Sequence, residues 1–152
     1  MKLFIDMDGV LADFDQHYED VFGTRPSREF DNADWDKVRA VGDFYLNIPP
    51  MADMAELWEF AAPFNPTILT GIPKSVDEAA DNKRAWVRKN LGAHVPVICC
   101  RSSEKYLHGG PDAVLVDDWE KYKDKWVRAG GVWITHVTAR QSVETLKRFC
   151  AT

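Results

Sequence analysis

Five short apolar runs recur along the chain and are separated by longer segments of mixed character. The runs cover residues 2–5, 67–69, 95–99, 113–116 and 132–135, and most of their positions are apolar. Strands that are covered by helices on both faces show this near-continuous apolar pattern. The runs therefore predict five buried strands of a parallel sheet.

Helical periodicity fills the spaces between the later strands. The segments 76–90, 119–129 and 140–149 predict helices, and glycine follows the first two of them. Alternating strands and helices form right-handed crossovers. We therefore expect an α/β fold, a three-layer, doubly wound and Rossmann-like parallel sheet in which ligands bind beyond the carboxyl ends of the strands.

The segment from about residue 14 to residue 65 interrupts this alternation. It predicts helices at 13–22, 33–41 and 53–61 with no strand between them. An insertion directly after the first strand stands above the strand ends, so we expect a small helical cap that closes the site and selects the substrate. The chain of 152 residues is close to the commonest domain size, which favours one domain over residues 1–152 that contains the cap.

The composition argues against long nucleic acids and membranes as binding partners. The net charge is -5 and the sequence has no cluster of Lys and Arg, which argues against binding to a long nucleic acid. The three cysteines form no CxxC pattern, no apolar leader is apparent, and no run approaches the roughly 20 apolar residues that span a bilayer. We expect a cytoplasmic protein that has no membrane contact and acts on a small substrate; the oligomeric state is left open.

Polar residues that can perform chemistry follow four of the predicted strands. They are Asp6 and Asp8 after the first strand, Thr70 and Gly71 after the second, the segment 101–105 after the third, and Asp117 and Asp118 after the fourth. An Asp-x-Asp-Gly sequence alone is also typical of a turn or of part of a calcium loop. Because polar residues follow four different strands at the same edge of the sheet, an active site is the favoured interpretation.

Four carboxylates at one edge of a sheet repel one another unless a cation or a proton lies between them. Carboxylate oxygens suit Mg²⁺, which commonly shares a phosphate oxygen with its substrate. Asp6 and Asp8 form the pair in which one carboxylate attacks phosphorus and the other transfers protons. Thr70 with nearby backbone N–H groups can hold phosphate oxygens, and Lys105 can offset their negative charge.

The residues Asp6-Met7-Asp8-Gly9-Val10, Leu69-Thr70-Gly71, Lys105 and Val116-Asp117-Asp118 resemble the four ordered motifs of the haloacid dehalogenase superfamily of phosphohydrolases. The resemblance implies an Asp6 nucleophile, an Asp8 general acid and base, and phosphate contacts from Thr70 and Lys105. It also implies Mg²⁺ held by Asp6, by the main-chain carbonyl of Asp8 and by the Asp117-Asp118 pair, and it places strands one and four side by side. Which of Asp117 and Asp118 ligates the metal directly is left open.

Two longer matches resemble the 5'(3')-deoxyribonucleotidases within that superfamily. They are the segment 6–14 and the segment 83–87, and they imply a substrate-binding role for Phe14, Lys83 and, less directly, Arg101. Gly71 departs from the pattern, since these enzymes usually carry Ser there. Other small phosphate monoesters, such as a sugar phosphate or a 3'-phosphate end, and a non-catalytic nucleotide-binding protein therefore stay as alternatives.

Several of these residues also have a purely structural interpretation. Lys83 and Arg101 lie in polar segments, where charges usually form a solvated face. Trp119, Tyr122 and Trp126 form a stripe that favours packing on the sheet. Aromatic residues of the insertion could instead face the cleft and stack on a base or sugar, and the candidates are Trp35, Phe44, Tyr45 and Trp58.

Overall fold

A five-stranded parallel sheet forms the centre of the protein. The computed structural model describes residues 1–27 and 33–150. The strands are β1 (Lys2–Ile5), β2 (Thr67–Gly71), β3 (Val97–Cys100), β4 (Ala113–Asp117) and β5 (Val132–Thr135). Their spatial order is β3-β2-β1-β4-β5, so β1 lies between β2 and β4. The five predicted strands are confirmed, and their carboxyl ends share one edge.

Helices connect the strands. They are α1 (Phe14–Phe22), α2 (Trp35–Val41), α3 (Met54–Ala61), α4 (Ala79–Asn90), α5 (Lys123–Arg128) and α6 (Ala139–Cys150). Shorter 3-10 helices cover Tyr45–Asn47, Ala62–Phe64, Ser102–His108 and Glu120–Tyr122. The predicted α/β fold with a parallel sheet between helices is confirmed. The predicted helix 119–129 is instead a 3-10 turn followed by α5.

Alternation of side chains along β1 divides the core into two parts. Leu3 and Ile5 belong to the larger apolar cluster, which also contains residues of α3, α4 and α6. Phe4 points to the opposite face and packs edge-on against Trp126 of α5, with ring centroids 5.7 Å apart. A strand with apolar residues on both faces is buried by both helix layers, as the near-continuous apolar runs predicted.

Two backbone hydrogen bonds join the segment that leaves β1 to the segment that follows the turn at Tyr45–Asn47. The Asp13 N–H donates to the Pro49 carbonyl and the Met51 N–H donates to the Leu11 carbonyl, each at 2.8 Å. The later helix α3 packs against α6. The part of the insertion that stands near the strand ends therefore consists of α1, α2 and the turn at Tyr45–Asn47; the limits of 14–65 for a cap stay a prediction.

Two sequence signals set the limits of α1. The Asp13 carboxylate accepts the backbone N–H of Gln16 at its start, and Gly23 ends it in the left-handed conformation. None of the helices among the described residues combines the length and apolar content that crossing a membrane requires.

Candidate active site

A tight loop fixes the two carboxylates that follow β1. The backbone N–H of Asp6 donates to the Val116 carbonyl at 2.9 Å, which continues the pairing of β1 with β4 beyond the strand. The next apolar residues, Met7 and Leu11, are fully buried below the loop. Since its apolar side chains are held in the core, the loop directs Asp6 and Asp8 toward the cleft.

Lys105 joins the ends of β1 and β4 electrostatically. Its Nζ lies 2.9 Å from Asp6 Oδ1 and 2.8 Å from Asp117 Oδ2. All three side chains are buried, and Asp117 Oδ1 also accepts the backbone N–H of Trp119 at 2.9 Å. We call Asp6, Lys105 and Asp117 the Lys105 cluster.

The charges of this cluster perturb one another. Burial alone would lower the pKa of Lys105, but the negative charges of Asp6 and Asp117 outweigh burial and raise it. The pKa of Asp117 is raised by burial and by the charge of Asp6, and Lys105 only partly offsets this. Two carboxylates against one ammonium group leave the cluster with a net negative charge, which favours binding of a further cation.

A second lysine holds Asp8. Lys83 of α4 is fully buried, and its Nζ lies 2.8 Å from Asp8 Oδ2, 2.9 Å from Thr70 Oγ1 and 2.5 Å from the Gly71 carbonyl. The ammonium group also lies 4.6 Å from the centre of the Tyr45 ring. We call Asp8, Thr70, Gly71 and Lys83 the Lys83 cluster. Asp6 and Asp8, two residues apart, therefore have different cationic partners.

Three carboxylates lie close enough to share a metal ion. Ligand atoms of Asp6, Asp117 and Asp118 all lie within 4.8 Å of one another. Asp6, Asp117 and Asp118 outnumber Lys105 by two, so a divalent cation would balance these four charged groups. Hard oxygen donors and this charge balance suit Mg²⁺. The residues present therefore fit a divalent metal.

Gly9 makes room for Asp118. Its φ is +82°, and a Cβ placed there would overlap with the Asp118 carboxylate. Glycine is thus required twice over, by the left-handed backbone and by the close approach of Asp118. The side chain of Asp8 lies in the Lys83 cluster and is not one of the three clustered carboxylates; a contribution of its main-chain carbonyl to a metal stays a prediction.

The two clusters line the bottom of a cavity of about 680 Å³. Ligand-binding cavities of roughly 300–1,000 Å³ are typical for small molecules. Aromatic side chains form much of its wall, and they are Phe14, Trp35, Tyr45, Tyr106, Trp119, Tyr122, Trp126 and Trp133. The cations Lys74, Arg101 and Lys121 lie at its exposed rim. The cavity therefore combines a charged bottom, an aromatic wall and a basic rim.

The structure brings together most residues that the sequence singled out. Asp6, Asp8, Gly71, Lys105 and Asp117 line the cavity, and Thr70 and Lys83 lie directly behind them. Phe14 lines the cavity and packs on the rings of Trp35 and Tyr45. Arg101 is exposed at the rim, where it precedes the 3-10 helix Ser102–His108.

Two interpretations based on general residue preferences were wrong. Lys83 is not on a solvated face, because it occupies the buried stripe of α4 formed by Ala79, Lys83, Trp86 and Val87. The i, i+4, i+7, i+8 spacing of that stripe was the signal that could have revealed it. Trp119, Tyr122 and Trp126 do not form one packing face, because Trp126 is buried in the core beside Phe4 whereas Trp119 and Tyr122 are half-buried.

Comparison of structures identifies the fold. The chain is similar to a HAD-superfamily hydrolase from Ehrlichia chaffeensis, with a TM-score of 0.57, 12% identity, and coverage of 97% of this chain and 96% of that chain. It is also similar to a HAD family hydrolase from Deinococcus radiodurans that was solved with bound phosphate and sodium, with a TM-score of 0.51, 14% identity and coverage of 95% and 87%.

A third similar structure has different chemistry. It is the L-2-haloacid dehalogenase from Xanthobacter autotrophicus with chloropropionic acid covalently bound, with a TM-score of 0.52, 12% identity and coverage of 100% and 84%. No family model and no curated protein matches the sequence. These similarities establish that the chain has the α/β fold seen in HAD-superfamily hydrolases. The narrower resemblance to the deoxyribonucleotidases stays a prediction.

We expect Gly9→Ala to disrupt the carboxylate cluster, and Gly23→Ala provides a matched control. Both glycines have similar positive φ values, 82° and 78°, but no atom lies within 4 Å of a Cβ built at Gly23. Each substitution should cost about 1–2 kcal/mol through the backbone alone. Only Gly9→Ala should also displace Asp118 and weaken Mn²⁺ binding measured by calorimetry. Equal Mn²⁺ affinities of the two variants would contradict a role of Asp118 in holding a metal.

Proposed function

We propose that the protein is a metal-dependent phosphatase that acts through an aspartyl-phosphate intermediate on Asp6. The observation that carries this proposal is the separation of two neighbouring carboxylates onto different lysines. Asp6 lies against Lys105 at the bottom of the cavity, whereas Asp8 is held by Lys83. One carboxylate is thus positioned for attack and the other for proton transfer.

Asp6, Asp117 and Asp118 are the side chains that would hold Mg²⁺. The bound ion would withdraw charge from the phosphoryl group and reduce its repulsion of Asp6. Asp117 is also fixed by Lys105 and by the Trp119 N–H, so its carboxylate has a defined orientation. Because Asp117 is held through both oxygens, its position does not depend on substrate.

In the first step, an oxygen of Asp6 attacks phosphorus and the bond from phosphorus to the ester oxygen breaks. Asp8, in its protonated form, gives its proton to the leaving alkoxide oxygen, which departs as an alcohol. The phosphoryl group is then bonded to Asp6. Thr70 Oγ1 accepts a hydrogen bond from Lys83, which leaves its hydroxyl hydrogen for a phosphoryl oxygen that reaches the end of β2.

In the second step, water attacks the same phosphorus. Asp8, now a carboxylate, takes a proton from that water while the bond from phosphorus to Asp6 breaks. Inorganic phosphate is released, and both aspartates return to their starting states. Lys105 stays in contact with Asp6 throughout and limits the negative charge that builds up as the phosphoryl group approaches.

The presence of Asp8 favours a phosphate ester over a haloacid as the substrate. A halide leaves carbon without needing a proton, whereas an alkoxide is a poor leaving group unless it is protonated. Asp8 is half-buried beside the nucleophile and is fixed by a fully buried ammonium group. An acid in this position can protonate the leaving group in ester cleavage, whereas dehalogenation needs no such proton.

We further propose a nucleoside monophosphate as the substrate, as in a 5'-nucleotidase or 5'(3')-deoxyribonucleotidase. Trp35 is partly exposed in the cavity wall, and the buried ring of Phe14 supports it from behind, with ring centroids 5.9 Å apart. Aromatic surfaces of this kind suit the stacking of a base. The exposed cations Lys74, Arg101 and Lys121 at the rim suit an anionic substrate.

We expect Asp6→Asn to lower phosphate release from p-nitrophenyl phosphate and from nucleoside monophosphates by about a thousandfold or more, because the variant lacks the nucleophile. The fold should persist, since Asp117 still pairs with Lys105. Initial rates in the presence of Mg²⁺, with melting temperatures alongside, make this measurement.

Asp112→Asn is the matched control, because Asp112 is an exposed carboxylate that precedes β4 at the opposite end of the sheet. It should retain wild-type rates. Phosphate release by Asp6→Asn at the rate of Asp112→Asn would refute the proposed nucleophile. Tight nucleotide binding by the wild-type protein without hydrolysis would favour a non-catalytic protein, and release of chloride from 2-chloropropionate would favour a dehalogenase.

Trp35→Leu tests the substrate class. Loss of a stacking surface should raise the KM for nucleoside monophosphates by about tenfold or more and leave the KM for glucose 6-phosphate nearly unchanged. Trp58→Leu is the matched control, since Trp58 lies on α3 outside the cavity lining. A wild-type protein that prefers sugar phosphates, or a Trp35→Leu effect equal for both substrates, would count against a nucleotidase.

A further inference from the structure

The ends of β2 and β3 meet at Gly71 and Ser102. Gly71 pairs with Cys100 in the sheet, and Ser102 follows two residues later at the start of the 3-10 helix Ser102–His108. A Cβ placed at Gly71 would overlap with Ser102 Oγ. The serine hydroxyl therefore occupies the space into which a side chain at position 71 would extend.

The backbone conformation does not explain why residue 71 is glycine. Gly71 is not among the glycines with positive φ, so other residues could adopt its conformation. After the Ser102 side chain, the nearest atom to a Cβ at this position is the Ser102 backbone nitrogen at 3.4 Å, an ordinary contact. Among the described residues, the overlap that a Cβ at position 71 would meet is with the side chain of Ser102.

The 3-10 geometry directs Ser102 toward the same site as Lys105. Such a helix has three residues per turn, so side chains at i and i+3 lie on the same face. Ser102 and Lys105 are separated by three positions, and Lys105 Nζ contacts Asp6. Both residues also line the cavity. The hydroxyl and the ammonium group thus belong to one face of a single short helix.

The hydroxyl of Ser102 is available for a ligand. Within the described part of the chain, Ser102 Oγ makes no hydrogen bond, and the residue is half-buried in the cavity wall. A serine hydroxyl can donate one hydrogen bond and accept others. An oxygen atom of an anion that reaches Asp6 would enter beside this donor.

We propose that Ser102 is a phosphate-binding residue that supplies from β3 the hydroxyl that Gly71 cannot supply from β2. This inference rests on the proposed phosphatase activity and adds a substrate contact to it. The Ser102 hydroxyl donates to a non-bridging phosphoryl oxygen, next to the oxygen that Thr70 contacts. Gly71 and Ser102 therefore depend on each other, because glycine at position 71 leaves the space that the Ser102 hydroxyl occupies.

Removing the hydroxyl, and exchanging the residues at positions 71 and 102, test this pairing. Ser102→Ala should lower kcat/KM for p-nitrophenyl phosphate and weaken binding of inorganic phosphate by about tenfold to a hundredfold, since a hydrogen bond to a charged group is lost. Gly71→Ser alone should also lower kcat/KM, because its side chain displaces the helix that carries Lys105. Gly71→Ser combined with Ser102→Gly moves the hydroxyl to the other strand and should restore kcat/KM to within about threefold of wild type.

Ser103→Ala removes the adjacent hydroxyl of the same helix, about 120° around its axis, and should have a clearly smaller effect than Ser102→Ala. Phosphate binding is measured by calorimetry with Mg²⁺ present, and melting temperatures check folding. Equal phosphate affinity of wild type and Ser102→Ala, or a double variant no better than Gly71→Ser alone, would overturn the proposal. Ser102→Ala introduces no overlap with the 3-10 helix Ser102–His108. The double variant removes the overlap that Gly71→Ser alone creates.

The binding measurement separates this inference from the proposed function. If the wild-type protein binds phosphate but hydrolyses no ester, weaker binding by Ser102→Ala still supports the contact while the phosphatase proposal fails. If the wild-type protein hydrolyses esters and Ser102→Ala matches it in kcat/KM and phosphate affinity, the contact fails while the phosphatase proposal stands. A wild-type protein that shows neither binding nor hydrolysis contradicts both.

Discussion

Two ammonium groups buried among carboxylates hold the carboxyl edge of the sheet together. Lys105 bridges Asp6 and Asp117, the residues at the ends of β1 and β4, and Lys83 bridges Asp8 to the end of β2. Removing one partner from a buried ion pair typically costs about 3–5 kcal/mol, because the remaining charge is left without compensation. The arrangement of three neighbouring strands therefore depends on these two lysines as well as on the apolar core.

The same two lysines differentiate carboxylates that are almost adjacent in the chain. Without them, Asp6 and Asp8 would be two carboxylates at one strand end with no cation beside either of them. Placing each against its own cation keeps the two side chains apart. The charge that remains uncompensated lies around Asp6, Asp117 and Asp118, where a divalent cation fits. Structural stability and the proposed chemistry thus depend on the same contacts.

The sequence predicted the features that depend on local pattern. Apolar runs located the strands, and the residues that follow them, such as Asp6 and Asp117, marked the edge that forms the site. The prediction for Lys83 was wrong because it followed local composition and not helical spacing, and contacts between loops have no signal in the sequence. Lys83 looked solvated because its neighbours are polar, although its spacing from Trp86 and Val87 places it on the buried face. The overlap of Ser102 with the space beside Gly71 exists only once β2 and β3 are paired.

The central claim is that Asp6 becomes covalently phosphorylated, and trapping the intermediate tests it most directly. The Asp8→Asn variant keeps the nucleophile but lacks the base that activates water, so an ester with a good leaving group should phosphorylate it faster than it hydrolyses. After reaction with p-nitrophenyl phosphate and Mg²⁺ and an acid quench, peptic peptides are analysed by mass spectrometry. The account predicts a phosphoryl group on Asp6. Phosphorylation of a different residue would contradict it. So would the release of p-nitrophenol over many turnovers if neither Asp8→Asn nor the wild-type protein yields a phosphorylated peptide.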